Sequence, residues 1–142
     1  MKRWNEVEGK VRKVRPDPEM ARSILSMMRV RLKALELIEG RDEFASILVE
    51  GWYEISKEGI TGLMAVAGYK TLSHEALVAY LDQFVLGFSE DDVALVDRLR
   101  RMRNKIAYKG FFVPPSFVRR NGPRVRILID RIIAPLEKVL SE

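Results

Sequence analysis

The chain predicts an all-α fold, an up-and-down bundle of about five helices, on three observations. Apolar residues recur at three- and four-residue spacing through successive segments. Capping residues or prolines open these segments and glycines close most of them, and no run alternates apolar and polar residues as a half-buried strand does. Hydrophobic residues make up 47% of the 142 residues and charged ones 32%, enough apolar material for one core and too much for a disordered segment.

Residues 1–15 read as a basic N-terminal arm. Lys2, Arg3, Lys10, Arg12, Lys13 and Arg15 face only Glu6 and Glu8 there, and no helical stripe runs through them. A nucleic-acid contact and plain solvation account for such an arm equally well. Residues 16–142 form the helical domain. Its first helix has Asp17 as N-cap, Pro18 at the first helical position and Glu19 in the first turn. Met20, Ile24, Met27, Leu35 and Ile38 supply the apolar stripe, and Gly40 stops the run.

Asp42 can cap the second helix, whose buried face is Phe44, Ile47, Leu48, Trp52, Ile55, Leu63 and Val66, ending near Gly68. The short joint at residues 40–42 predicts an antiparallel hairpin. Gly51, Gly59 and Gly62 inside this helix each cost up to about 1 kcal/mol relative to alanine, which marks either a bend or a close approach of backbones. Ser73 caps the third helix, with Ala76, Leu77, Tyr80, Leu81, Phe84 and Val85 as its apolar face. His74 falls in its first turn, where a protonated imidazole would oppose the helix dipole; it reads as a neutral, structural residue.

Ser89 caps the fourth helix. Glu90, Asp91 and Asp92 load its first turn, cations crowd its end from Arg98 to Lys109, and Gly110 is the stop. The adjacent acids Asp91 and Asp92 read as dipole partners rather than metal ligands, and Arg98, Arg101 and Lys105 as the solvated face. A proline-rich connection over residues 113–122 leads to a fifth helix opened by Pro123, with Val125, Leu128, Ile132, Leu136 and Val139 as its stripe. Pro135 should kink or restart it.

One residue breaks this pattern. At about 100° per residue, Arg103 lies only about 40° from Leu99 and on the same arc as Val96 and Ile106. An arginine in an apolar stripe must be paired, snorkel to solvent or line a shared cavity. The surplus of 25 basic over 20 acidic residues, a net charge of +5, permits a polyanionic partner without demanding one. With no cysteine and a single histidine, neither a disulfide framework nor a zinc site is expected, and no metal or cofactor is predicted. No phosphate-cradling glycine loop precedes Lys70 and Thr71. No apolar run reaches membrane-spanning length and no apolar segment follows the basic N-terminus, so the expectation is a soluble cytoplasmic protein.

The segment Tyr53–Leu81, with the joint Gly-Tyr-Lys-Thr-Leu-Ser-His at residues 68–74, resembles the HEPN family of higher eukaryotic and prokaryotic nucleotide-binding proteins. Arg103-Asn104-Lys105-Ile106-Ala107-Tyr108 falls where that family has its signature, an arginine, usually a polar residue next, then a histidine after four to six intervening residues. The resemblance covers about residues 17–140. It implies a helical bundle that forms a homodimer with both signatures facing one cleft, and many members are metal-independent ribonucleases, often toxins paired with a nucleotidyltransferase antitoxin. Others bind RNA or nucleotides without cutting.

On this resemblance the catalytic candidates are Arg103, Asn104 and Tyr108, with Arg100, Lys105 and Lys109 as nucleic-acid contacts. Arg103 would match a phosphate with its planar fork, and Asn104 would orient it. Tyr108 stands at the histidine position. An unperturbed phenol has a pKa of about 10, a poor base at neutral pH, so a ribonuclease built this way would be attenuated. Tyr108 reads equally well as a helix-end aromatic packed on Phe111 or Phe112. Five residues also set Arg103 and Tyr108 about 140° apart on a helix, so they converge only if the helix unwinds before Gly110 or if two protomers contribute. Three functions stay open: an attenuated ribonuclease, a noncatalytic RNA- or nucleotide-binding dimer, and a partner subunit of a nucleotidyltransferase.

Overall fold

The structure is a computed structural model in which residues 1–141 are described. These residues form six α-helices and one two-stranded antiparallel sheet: α1 (Trp4–Val7), β1 (Val11–Lys13), α2 (Pro18–Glu36), α3 (Ala45–Ala67), β2 (Tyr69–Thr71), α4 (His74–Phe84), α5 (Glu90–Lys109) and α6 (Pro115–Leu140). The all-α bundle is therefore present, with a small sheet added. No helix among the described residues is long and apolar enough to cross a membrane.

Helix α3 is the centre of the bundle. Leu35, Met28 and Ile24 of α2 lie in turn against Gly51, Gly59 and Gly62 of α3, so the two helices run antiparallel. Trp52 meets Gly122 of α6, while Gly59 and Gly62 meet Ile132 and Leu136, so α3 and α6 run parallel. The glycines thus mark close approach. A Cβ on Gly51 would stand 2.6 Å from Leu35 Cδ2, and one on Gly59 would stand 2.8 Å from Met28 Cε and closer still to Ile132. Helix α5 runs antiparallel to α6: Asp92 near its start receives Arg124 and Arg131, and Arg98 a turn and a half later lies over Phe117. Helices α2, α3, α5 and α6 make an up–down–up–down core, and α4 packs on its flank against α1, α3 and α5.

Sequence signals account for most of the ends. Asp17 Oδ1 accepts the Met20 N–H at 3.0 Å, and Ser73 Oγ accepts the Ala76 N–H at 3.2 Å. Ser89 and Asp92 exchange reciprocal backbone-to-side-chain bonds at 3.0 and 3.1 Å, a capping box at the start of α5. Gly110 closes α5 at φ 63°, with the Gly110 N–H donated to Ile106 O and the Phe111 N–H to Lys105 O.

Three expectations are corrected. The basic arm is folded: Trp4 packs its ring edge-on against Tyr80 and Phe84, Val7 is fully buried on Ala76 and Ala79, and β1 pairs with β2 in the register Val11–Thr71 to Lys13–Tyr69. Few apolar residues suffice there because α4 supplies the other half of the contact. The buried face of α2 is Ala21, Leu25, Met28, Leu32 and Leu35, while Met20 and Met27 are exposed. That track continues apolar to Leu32 where the alternative meets Arg31. Finally, α6 opens at Pro115, not Pro123, and carries both Pro123 and Pro135 within it. Each interior proline removes a backbone hydrogen bond, yet the buried stripe of Phe117, Val125, Leu128, Ile129, Ile132 and Leu136 holds the helix against the core on both sides of them.

Candidate functional site

Helix α5 carries its apolar arc outward from the core. Val96 and Leu99 are fully buried, Arg103 one turn further is half-buried, and Ile106 is half-buried against the core edge. The arginine stands where this arc leaves the protein interior. No carboxylate pairs with it among the described residues; its Nη1 reaches only Asn104 Oδ1, at 3.4 Å. At that distance the contact is weak.

Across from this arc lies a pair that the sequence did not single out. The Tyr53 hydroxyl of α3 and the His74 Nδ1 at the start of α4 are 2.9 Å apart, with their rings 5.8 Å between centroids. Tyr53 is almost completely buried. Desolvation drives its hydroxyl above the ordinary phenol value, and the opposing positive charges of Arg100 and Arg103 do not offset this. His74 is partly exposed, and its imidazole is held below the ordinary value, first by desolvation and then by the charges of Lys57 and Arg103, against a raising influence from Glu54. Tyr53 is therefore protonated and His74 neutral at pH 7, and the cations of α5 act on both.

The hydroxyl either donates to Nδ1, leaving a proton on Nε2, or accepts from Nδ1–H, leaving Nε2 free to take one. Both arrangements keep the pair satisfied, so the imidazole can present a donor or an acceptor at its outer nitrogen. Arg103 and Arg100 supply positive charge beside it. Such a set can hold a phosphate and exchange a proton with a group bound to it.

The other predicted residues are placed as follows. Arg100 is mostly buried and donates from Nε to Asp97 Oδ1 at 2.9 Å, so it is held by a buried carboxylate in α5. Arg101 reaches the same carboxylate at 3.4 Å. Lys105 is exposed, with Nζ 5.8 Å from the Phe111 ring centroid, and Lys109 is exposed at the end of α5. Tyr108 is 79% exposed and does not pack into the core. Because α5 stays helical through Lys109, Tyr108 and Arg103 point to different sides within one chain, and the single-chain route to their convergence is closed.

Asp92 is a buried carboxylate whose roles are structural. Desolvation pushes it up, but the Ser89 backbone and hydroxyl, the Arg124 hydrogen bond and the charge of Arg131 outweigh that, and its pKa lies below the ordinary value. Among the described residues no group of three or more acidic or histidine side chains could hold a metal ion.

Tyr53 and His74 escaped the sequence reading because their partnership depends on where α4 docks. The available signal was two polar side chains on the otherwise apolar buried face of α3, Tyr53 and Ser56. Of these, Ser56 is explained locally, since its hydroxyl donates to Trp52 O at 2.8 Å. Comparisons with protein-family models, with curated proteins and with solved structures find no match to this chain, so these side chains and their geometry carry the functional reading.

Proposed function

We propose that the protein is a HEPN-type, metal-independent endoribonuclease that acts as a homodimer and is restrained by a nucleotidyltransferase partner. The observation that carries the chemistry is the 2.9 Å hydrogen bond between His74 and Tyr53; Arg103, which has no carboxylate partner among the described residues, adds its charge to the desolvation that holds the imidazole below its ordinary pKa. Cleavage needs a base for the ribose 2′-hydroxyl proton, a cation for the charge that develops on phosphorus oxygens, and a proton for the leaving 5′-oxygen. A neutral imidazole is the state from which a base must start, and the imidazolium it becomes is then an acid. Arg103 serves the phosphate, with Asn104 steadying it. Tyr108 contributes only if the dimer brings two signatures to one cleft, where it would donate a hydrogen bond or stack on a base.

The test is incubation of the purified protein with single-stranded RNA in EDTA. Cleavage by the wild type, reduced roughly 100-fold or more by Arg103→Ala and by His74→Ala, is expected. Cleavage that survives Arg103→Ala, or its absence at every protein-to-RNA ratio, would overturn the enzymatic reading. A second reading, an RNA- or nucleotide-binding dimer without turnover, is favoured by one observation: an exposed tyrosine stands at the signature histidine position.

A further inference from the structure

The side of α5 opposite Arg103 is not the plain solvated surface that its charges suggest. Arg98, Arg101 and Lys105 of α5 and Arg120 of α6 line one open cleft of about 670 Å³, with Phe111 and Phe117 in its wall and, among the described residues, no acidic side chain lining it. Its size is within the range of small-molecule and cofactor sites. The Arg98 guanidinium carbon lies over buried Phe117, 4.6 Å from the ring centroid, and Lys105 Nζ lies 5.8 Å from that of Phe111. Arg98, Lys105 and Arg120 have no carboxylate partner among the described residues, whereas most arginines of α6 do: Arg119 pairs with Asp42, Arg124 and Arg131 with Asp92, and Arg126 with Glu36. Unpaired cations converging on one cleft are costly through mutual repulsion, and an anion relieves that repulsion.

We propose that this cleft between the end of α5 and the start of α6 binds a single-stranded polynucleotide, with phosphates on Arg98, Lys105 and Arg120 and a base stacked against the partly exposed Phe111. The pairing of backbone-tracking cations with an accessible aromatic face distinguishes this ligand from a merely acidic polymer, which has no use for the ring. Val113 and Phe111 are fixed to the body of the protein through Ser46, whose Oγ accepts the Val113 N–H at 2.8 Å and donates to Phe111 O at 3.2 Å. The stacking platform is thus anchored to α3 rather than carried on a free loop. The site lies on the far side of α5 from Tyr53 and His74, and it does not rest on the cleavage reading.

The experiment is fluorescence anisotropy of labelled twelve-residue oligonucleotides, RNA and DNA of one sequence, with the full chain in EDTA at several salt concentrations. An abasic phosphodiester chain and polyglutamate serve as comparison ligands. Lys105→Glu combined with Arg120→Glu removes charge where no ion pair among the described residues is lost, and circular dichroism confirms its fold. The affinity for the oligonucleotides is expected to fall at least tenfold and the salt dependence to flatten, the slope for single strands being about 0.7 per phosphate. Phe111→Leu is expected to weaken the oligonucleotide by roughly 5-fold or more and leave the abasic chain unchanged.

Equal binding of RNA and DNA supports a site for phosphates and bases; preference for RNA supports the same site with an added contact to the 2′-hydroxyl. Polyglutamate bound as tightly as the oligonucleotides, or Phe111→Leu without effect, overturns the proposal in favour of a general acidic-polymer surface. Binding lost in Arg103→Ala but kept in the double charge reversal also overturns it, by placing the strand on the opposite face. Binding kept in Arg103→Ala while cleavage is lost separates the two sites.

Discussion

Tyr53 and His74 come from different helices, 21 residues apart in the chain, and meet through a 2.9 Å hydrogen bond between a buried phenol and the only imidazole of the protein. Three elements must be in place for it: α3 to bury the phenol, α4 to start at the Ser73 cap, and α5 to bring Arg100 and Arg103 alongside. The bond therefore reports on the docking of α4 and α5 as well as on the chemistry of the pair.

Because His74 is the only histidine, its titration can be followed by proton NMR without assignment. It is expected to titrate below the ordinary value of about 6.5. Arg103→Gln, which removes a positive charge acting on the ring, should move the titration upward; an unchanged value would place Arg103 out of range of the imidazole. Stability follows the same linkage. A depressed imidazole pKa means that the unfolded chain binds more protons, so the stability contributed by neutral His74 is complete above about pH 6.5 and is lost as pH falls through the folded value. Urea unfolding across that interval should show the loss in the wild type and less of it in His74→Gln.

Tyr108 offers a second handle on function. If the proposed ribonuclease reading holds and the exposed phenol of Tyr108 limits turnover, Tyr108→His should raise RNA cleavage by roughly 10-fold or more, within the range for a positioned general acid or base. Gel assays of both proteins in EDTA decide this. A variant that folds like the wild type but cleaves no faster would show that the imidazole at 108 has no access to the phosphodiester.

The ends of α5 were legible because they depend on neighbours in the chain. Ser89 and Asp92 satisfy each other's backbone groups three residues apart, and Gly110 adopts a left-handed conformation that favours glycine. The start of α6 was not legible on those terms, since Pro115 and Pro123 both suit a first helical position. What decides between them is the burial of Phe117 beneath Arg98, a tertiary contact. Likewise Arg103 announced itself by its place on the apolar arc, while Tyr53 and His74 look ordinary until three helices are assembled. The cleft beside Arg98 was hidden for the same reason: its charges read as a solvated helix face because Arg120 and the two phenylalanines come from beyond the end of that helix.

Gly59 tests the close packing at the centre of the bundle. Replacing a helical glycine by alanine gains up to about 1 kcal/mol in propensity. A Cβ here, however, would collide with Cγ2 of fully buried Ile132 and stand 2.8 Å from Met28 Cε, and forcing a methyl into a packed core costs about 1–3 kcal/mol. Ile132 is branched at Cβ and cannot swing aside, so Gly59→Ala is expected to be destabilising by about 1–2 kcal/mol net. Gly62→Ala, whose nearest contact is the flexible end of Leu136 at 3.2 Å, should be close to neutral. Equal effects of the two in urea titrations would contradict the packing described.

Trp4 asks whether the N-terminal segment belongs to the fold. Its ring meets Phe84 at 5.0 Å and Tyr80 at 5.8 Å between centroids, and the strand that follows pairs with β2 immediately before the Ser73 cap of α4. A tail that is merely solvated would lose nothing on substitution. Full truncation of a buried tryptophan costs about 3–5 kcal/mol, and Trp4 is half-buried, so Trp4→Ala should destabilise the protein by roughly 2 kcal/mol. Because α4 carries His74 on its first residue, the same substitution should also broaden or shift the His74 resonance, whereas Lys13→Ala, a change to an exposed cation of the same segment, should leave it in place. Loss of stability without any response at His74 would mean that α4 keeps its register on α3 by itself and that the N-terminal segment braces the fold without touching the site.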